Sequence, residues 1–164
     1  MYPYDSTDHS TKTVSLKTAE KNDTKRYPND RSVLEMLRSA LKDEKIAADY
    51  YRKLADRIQD DHDEQILLNI SLDEIKHGKL LSEIYEKITG EQFLEITVDE
   101  KMPAGSLGEE FLDSMEDEIG DYLFYRDLYL AMFQPEMRDI LFEIMTDEQC
   151  HCQWLSYLAG KYSR

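Results

Sequence analysis

Two glutamates and two Glu-x-x-His motifs recur in this chain at one fixed offset. Glu44 returns as Glu118, Glu74 as Glu148 and His77 as His151, without a gap (118 − 44 = 148 − 74 = 151 − 77 = 74). The flanking residues repeat with them. Between 44–54 and 118–128 the matches are Glu, Tyr51/Tyr125, Arg52/Arg126 and Leu54/Leu128; between 73–82 and 147–156 they are Asp, Glu, His, Leu81/Leu155 and Ser82/Ser156. Nine identities in 21 positions, against about one or two for unrelated sequence, mark an internal duplication. Its best-kept letters are carboxylates and imidazoles, which bind divalent metals.

Reading outward from these residues shows what must position them. Leu37, Leu41, Glu44, Ala48, Tyr51, Ala55 and Ile58 follow a 3/4 spacing, as do Leu67, Ile70, Glu74, His77, Leu81, Ile84 and Ile88. The second half gives Phe111, Met115, Glu118, Tyr122, Tyr125, Tyr129 and Met132, then Leu141, Ile144, Glu148, His151, Leu155, Leu158 and Tyr162. Each is an apolar helical stripe interrupted only by Glu or by Glu-x-x-His. A Glu and a His three apart lie on one side of a helix and can grip one object.

Charge then selects the object. No Lys or Arg stands in the four stripes, and Arg52 and Arg126 lie off their axes. An unpaired buried carboxylate costs on the order of several kcal/mol, so four would consume a domain stability of about 5 to 15 kcal/mol. Two divalent cations carry +4 against four glutamates, and two neutral imidazoles complete the set. One Glu-x-x-His is common in acidic proteins; two, each following a stripe Glu by 30 residues (74 − 44 = 148 − 118 = 30), are specific. One Glu from each of two helices plus Glu-x-x-His from each of the other two is the inward ligand set of di-iron and di-manganese carboxylate bundles.

The supporting elements are all helical. A first helix is expected from near Asp30 or Ser32, where Ser32-x-x-Glu35 makes a capping box, to about Gln59. A short turn leads to a second, about 63–89, stopped by Gly90. A third spans about 107–133, and Pro135 suits the first position of a fourth. Short turns make antiparallel hairpins, and the segment between helices two and three, with Gly90, Pro103, Gly105 and Gly108, is long enough to run the length of the bundle. Residues 1–28 lack periodicity and read as a disordered tail; residues 29–162 read as one all-α domain.

Composition excludes several classes. With 35 acidic against 20 basic residues and a net charge of −15, no basic patch is available for nucleic acid. No run reaches the roughly twenty apolar residues that span a bilayer, and residues 1–16 do not resemble a signal peptide. The expectation is a soluble, cytoplasmic protein without membrane contact. Cys150 and Cys152 flank His151 at a spacing that makes neither a zinc ribbon nor a rubredoxin-type site. Cys152 is expected beside the seam as a small side chain, with Cys150 pointing away. His9 and His62 are expected in solvent.

The pattern Glu44-x-x-Ala47-x-x-x-Tyr51-x-x-Leu54-Ala55, the two Glu-x-x-His motifs and the long crossover resemble the rubrerythrin branch of the ferritin-like superfamily over about residues 32–160. The resemblance implies a ferritin-like four-helix bundle with two iron ions, or manganese. It implies that Glu44 and Glu118 are terminal ligands, that Glu74 and Glu148 bridge, and that His77 and His151 each cap one ion. Tyr51 resembles the family's tyrosine that hydrogen-bonds a ligand carboxylate, and Tyr125 is its repeat counterpart. The family has a further carboxylate one turn after the third-helix Glu; here the shorter Asp121 stands there as a possible extra ligand. The implied activity is a peroxidase-type oxidoreductase: hydrogen peroxide or dioxygen as oxidant, an external electron-donor protein, and a homodimer as the assembly. Iron handling of the bacterioferritin kind and a purely structural metal are the alternatives.

Overall fold

The computed structural model describes residues 31–94 and 97–163. The expected tail and His9 lie outside the described residues, and so does the side chain of Ser32, on which the expected capping box depends. Four helices follow in order: α1 Arg31–Ala55, α2 Asp61–Thr89, α3 Leu107–Ala131 and α4 Pro135–Tyr162. There is no strand among the described residues. α1 packs along α2 and α3 along α4, while α2 against α4 and α1 against α3 close the bundle. The all-α, ferritin-like reading of the sequence is therefore correct. No helix among the described residues is long and apolar enough to cross a membrane.

The helix ends depart from the sequence reading by a few residues, each for a local reason. α1 stops at Ala55, not near Gln59, because Arg57 N–H bonds Leu54 O (3.1 Å) and Ile58 N–H bonds Ala55 O (2.9 Å), tightening the chain into an i→i+3 turn. Ile58 is still buried. α2 begins earlier than expected because the Asp60 carboxylate accepts from His62 N–H and Asp63 N–H, both at 3.1 Å. His62 thus sits in the first turn of α2, where it is exposed. Gly90 ends α2 at φ 75°, a left-handed conformation that L side chains resist. A capping box starts α3, with Ser106 and Glu109 exchanging bonds. Pro135 occupies the first turn of α4.

The apolar stripes assemble into two separate cores. One gathers Leu37, Leu41, Leu81, Ile84, Tyr125, Leu128, Leu141 and Ile144; the other gathers Tyr51, Leu54, Leu67, Ile70, Phe111, Leu155 and Leu158. Full burial of such a side chain contributes about 1.5–3 kcal/mol, so the two cores hold the helices in register from either side of the polar layer between them. α3 also keeps an outward apolar stripe of Leu112, Ile119, Leu123 and Leu130, each more than 40% exposed.

Candidate metal centre

Each helix delivers its repeated residue to one buried layer. Glu44, Glu74, His77, Glu118, Glu148 and His151 are all at most 5% exposed. Their ligating atoms fall into two overlapping groups, each mutually within 4.8 Å: Glu44, Glu74, His77 and Glu148 in one, Glu74, Glu118, Glu148 and His151 in the other. Glu74 and Glu148 belong to both groups; Glu44 and Glu118 belong to one each. The Nδ1 of His77 faces Glu74 Oε2 and Glu148 Oε1 at 3.1 Å. That of His151 faces Glu74 Oε1 and Glu118 Oε2 at 3.2 Å and Glu148 Oε2 at 3.1 Å. The rings lie 5.9 Å apart between centroids.

Around this layer stands a second one that crosses between the hairpins. Tyr51 Oη donates to Glu118, and Tyr125 Oη donates to Glu44. The outward Nε2 of His77 meets Asp147 Oδ2 at 3.3 Å, and that of His151 meets Asp73 Oδ2 at 3.5 Å. Glu44 and His77 on one hairpin, and Glu118 and His151 on the other, are thus each steadied by the opposite hairpin. Outer carboxylates of this kind fix ring orientation and tautomer. Sequence reasoning assigned no role to Asp73 and Asp147, although both were identities of the repeat, immediately before the shared glutamates.

The cluster is short of positive charge and responds by taking up protons. Burial lowers the proton affinity of His77, but Glu148, Glu44 and Glu74 outweigh it and push the imidazole up to about 12. His151 moves the same way through Glu118, Glu148 and Glu74. Burial raises Glu44 to about 8 and Glu148 to about 7, against the lowering effect of the imidazoles. Burial first, then the neighbouring carboxylates, holds the Tyr51 and Tyr125 hydroxyls well above the usual phenol range. Both therefore remain hydrogen-bond donors. Asp121 is raised to about 7 by burial and then by Glu118 and Glu44, but it belongs to neither four-residue group. It lines a polar cavity of about 400 Å³ between α1 and α3 that also reaches Glu118.

A pair of divalent ions fits these residues. Glu74 Oε1 and Glu148 Oε1, one oxygen of each shared carboxylate, are buried and make no hydrogen bond of good geometry, although Nδ1 of His151 and of His77 lies 3.2 and 3.1 Å away. Buried acceptors normally have partners, and a cation between the two groups supplies one to each. Carboxylate oxygen with imidazole nitrogen is a donor set suited to iron or manganese. Asp60, His62 and Asp63 also approach one another, but there Lys161 Nζ already sits 3.0 Å from Asp60 and 2.6 Å from Asp63. Cys150 is exposed and Cys152 half-buried, its Sγ 3.9 Å from Met115 O.

Two helical hairpins enclosing a buried layer of four glutamates and two histidines have the form of a metal-binding carboxylate four-helix bundle. The family model described as Rubrerythrin matches residues 35–159, and the chain belongs to that family. A comparison with curated proteins yields no significant match. Among solved structures, the chain is similar to a hypothetical protein from Pyrococcus furiosus, with 20% identity over 83% of this chain and 91% of the other and a TM-score of 0.69. At that identity the likeness speaks for the fold.

Proposed function

We propose that this chain is a non-haem di-iron oxidoreductase that reduces hydrogen peroxide with electrons from an external donor protein. The observation that carries the reading is the pair of overlapping ligand groups sharing Glu74 and Glu148. Bound as a ferrous pair, iron would supply the two electrons that O–O cleavage requires. Glu74 and Glu148 would be shared between the two ions, Glu44 with His77 and Glu118 with His151 would each serve one, and four carboxylates would balance two divalent cations. Tyr125 and Tyr51 keep the Glu44 and Glu118 carboxylates aimed inward by occupying one oxygen of each. Asp147 and Asp73 keep Nδ1 of each imidazole pointing at the ions. The packed aliphatic layers close the centre along the bundle axis, leaving lateral access through the cavities at Glu118 and at Glu44 and Glu74.

The test is metal analysis of protein purified from its native host, followed by stopped-flow oxidation of the fully reduced form. Two irons per chain, and faster oxidation by hydrogen peroxide than by dioxygen, are expected. Faster reaction with dioxygen, with many ferric ions accumulating per chain, would assign the protein to iron handling. Two manganese ions would change the metal, and no reaction with either oxidant would leave a structural site.

A further inference from the structure

The two halves of the centre match at the ligands and differ just outside them. Three small residues on the α1–α2 hairpin have larger counterparts 74 positions on: Ala48 corresponds to Tyr122, Ser71 to Met145 and Gly78 to Cys152. All three small residues line one groove between α1 and α2, of about 640 Å³. On the α3–α4 side Met145 is buried and Cys152 packs against Met115 O, so the corresponding space there is occupied by side chains. Substitution by larger residues at three equivalent positions makes the groove a property of one hairpin and not of the fold.

The floor of the groove is Glu44 and Glu74, the carboxylates grouped with His77. Its walls are carbon: Leu41, Ala48, Phe93 and Ile75, the last 45% exposed although apolar. Lys45, Lys79 and the paired Asp49 and Arg52 also stand among the lining residues. A volume of this size lies within the roughly 300–1,000 Å³ of small-molecule sites. An apolar body with an anionic end complements such carbon walls and the Lys79 ammonium group. Hydrogen peroxide needs none of this, and the polar cavity beside Glu118 offers it a separate approach.

We propose that the α1–α2 groove binds an organic hydroperoxide, its apolar chain along Leu41, Ile75 and Phe93, an anionic group toward Lys79, and its O–O group toward Glu44 and Glu74. The substrate part rests on the peroxide-reducing function proposed above. The reaction balances as ROOH + 2 Fe(II) + 2 H⁺ → ROH + H₂O + 2 Fe(III): the O–O bond breaks, one oxygen leaves as the alcohol and the other as water. Gly78 is the residue that keeps the floor open. A Cβ there would meet Glu44 Cβ at an ordinary 3.8 Å, so a larger side chain fits the backbone while filling the groove. Replacing a helical glycine also favours the helix.

The experiment compares wild type, Gly78→Leu and Ser71→Met, all iron-loaded. Two quantities are measured: dodecanoate affinity by titration calorimetry, and the ratio of oxidation rates with linoleate hydroperoxide and hydrogen peroxide. Expected are dodecanoate binding by wild type, weakened at least tenfold in both variants, and a rate ratio at least tenfold lower in both. Failure of wild type to bind dodecanoate, or binding that neither variant changes, would overturn the groove. Variant-sensitive binding in a protein oxidised by hydrogen peroxide but not by linoleate hydroperoxide would overturn the substrate class and leave the peroxidase reading intact. Variant-sensitive binding without reaction toward either peroxide would overturn the peroxidase reading and the substrate with it. Ser71→Met guards against a folding defect of Gly78→Leu, because it fills the groove from α2 with the residue that already stands at position 145.

Discussion

Asp147 of α4 holds the outward nitrogen of His77 on α2, with Oδ2 3.3 Å from Nε2. The same carboxylate takes Lys76 Nζ at 2.8 Å, and Lys76 also reaches Glu143 at 3.1 Å. The repeat-equivalent pair, His151 and Asp73, lies at 3.5 Å, and Cys150 replaces the lysine. Burial alone would raise the Asp147 carboxyl, but Lys76 and His77 hold it below the usual range, so it stays an acceptor.

Asp147→Ala is expected to weaken metal binding by about 10–100-fold, the usual cost of losing an outer partner of a ligating histidine, with little change in helix content. Titration of the metal-free protein with Co²⁺, followed by absorption, checks it. Affinity equal to wild type would mean that the His77 ring is oriented by packing alone.

Glu74→Ala and Glu148→Ala each remove a carboxylate that belongs to both ligand groups. Metal content is expected to fall sharply from two ions per chain in either variant. Glu44→Ala is expected to spare more, since only one group loses a member. Metal analysis after gel filtration distinguishes these patterns, and unchanged stoichiometry in both shared-carboxylate variants would refute the assignment.

How much of this was legible in the sequence depended on periodicity. The six inner residues interrupt apolar stripes at helical spacing, so their convergence in one buried layer was legible without coordinates, and charge balance pointed to a cation. Tyr51 and Tyr125 also stood in the stripes, but a buried tyrosine is as often packing as hydrogen bonding, so only the bonds to Glu118 and Glu44 distinguish them. Asp73 and Asp147 fall one residue off each stripe, where a helix surface residue is usually solvated. Their partners lie on the opposite hairpin, 78 and 70 residues away, and no local pattern encodes that pairing. The groove was hidden for a related reason: small residues carry no signal until the space left beside them is seen. Helix ends were misplaced where side-chain caps decide, as at Asp60, or where the last turn tightens, as after Ala55.

Metal removal is expected to lower the melting temperature, and the deficit should grow with pH. The folded-state affinity of Glu44 for a proton is raised to about 8 and that of Glu148 to about 7, above the roughly 4.3 of an unfolded glutamate. The folded metal-free protein therefore binds more protons than the unfolded chain between about pH 4.3 and 8, and its stability falls as pH rises through that window. His77, raised to about 12, acts in the same direction above about pH 6.5. Bound cations replace the protons and relieve the repulsion. Calorimetric melts of metal-free and metal-loaded protein at pH 5.5 and 8 check this; coincident melts at pH 8 would mean that the centre contributes nothing to stability.

A pairing remote from the centre should govern acid sensitivity. Asp63, fully buried, receives Lys161 Nζ at 2.6 Å and the Tyr162 hydroxyl at 2.8 Å, fastening the start of α2 to the end of α4. Burial raises its pKa, but Lys161, Tyr162 and His62 together hold it below the ordinary carboxylate range. A depressed carboxyl stabilises the fold above its unfolded value of about 3.9 and loses that contribution as pH falls through the folded one. Lys161→Met leaves the carboxylate with the hydroxyl and the α2 N-terminus. It is expected to lower stability at pH 7, because the buried acceptor loses a charged donor. In denaturant titrations at pH 7 and pH 3, the gap between wild type and variant should shrink at the lower pH, because protonated Asp63 no longer needs the lysine. A gap of equal size at both values would show that Lys161 contributes through its packed methylenes, and that the charge pair is incidental to the junction.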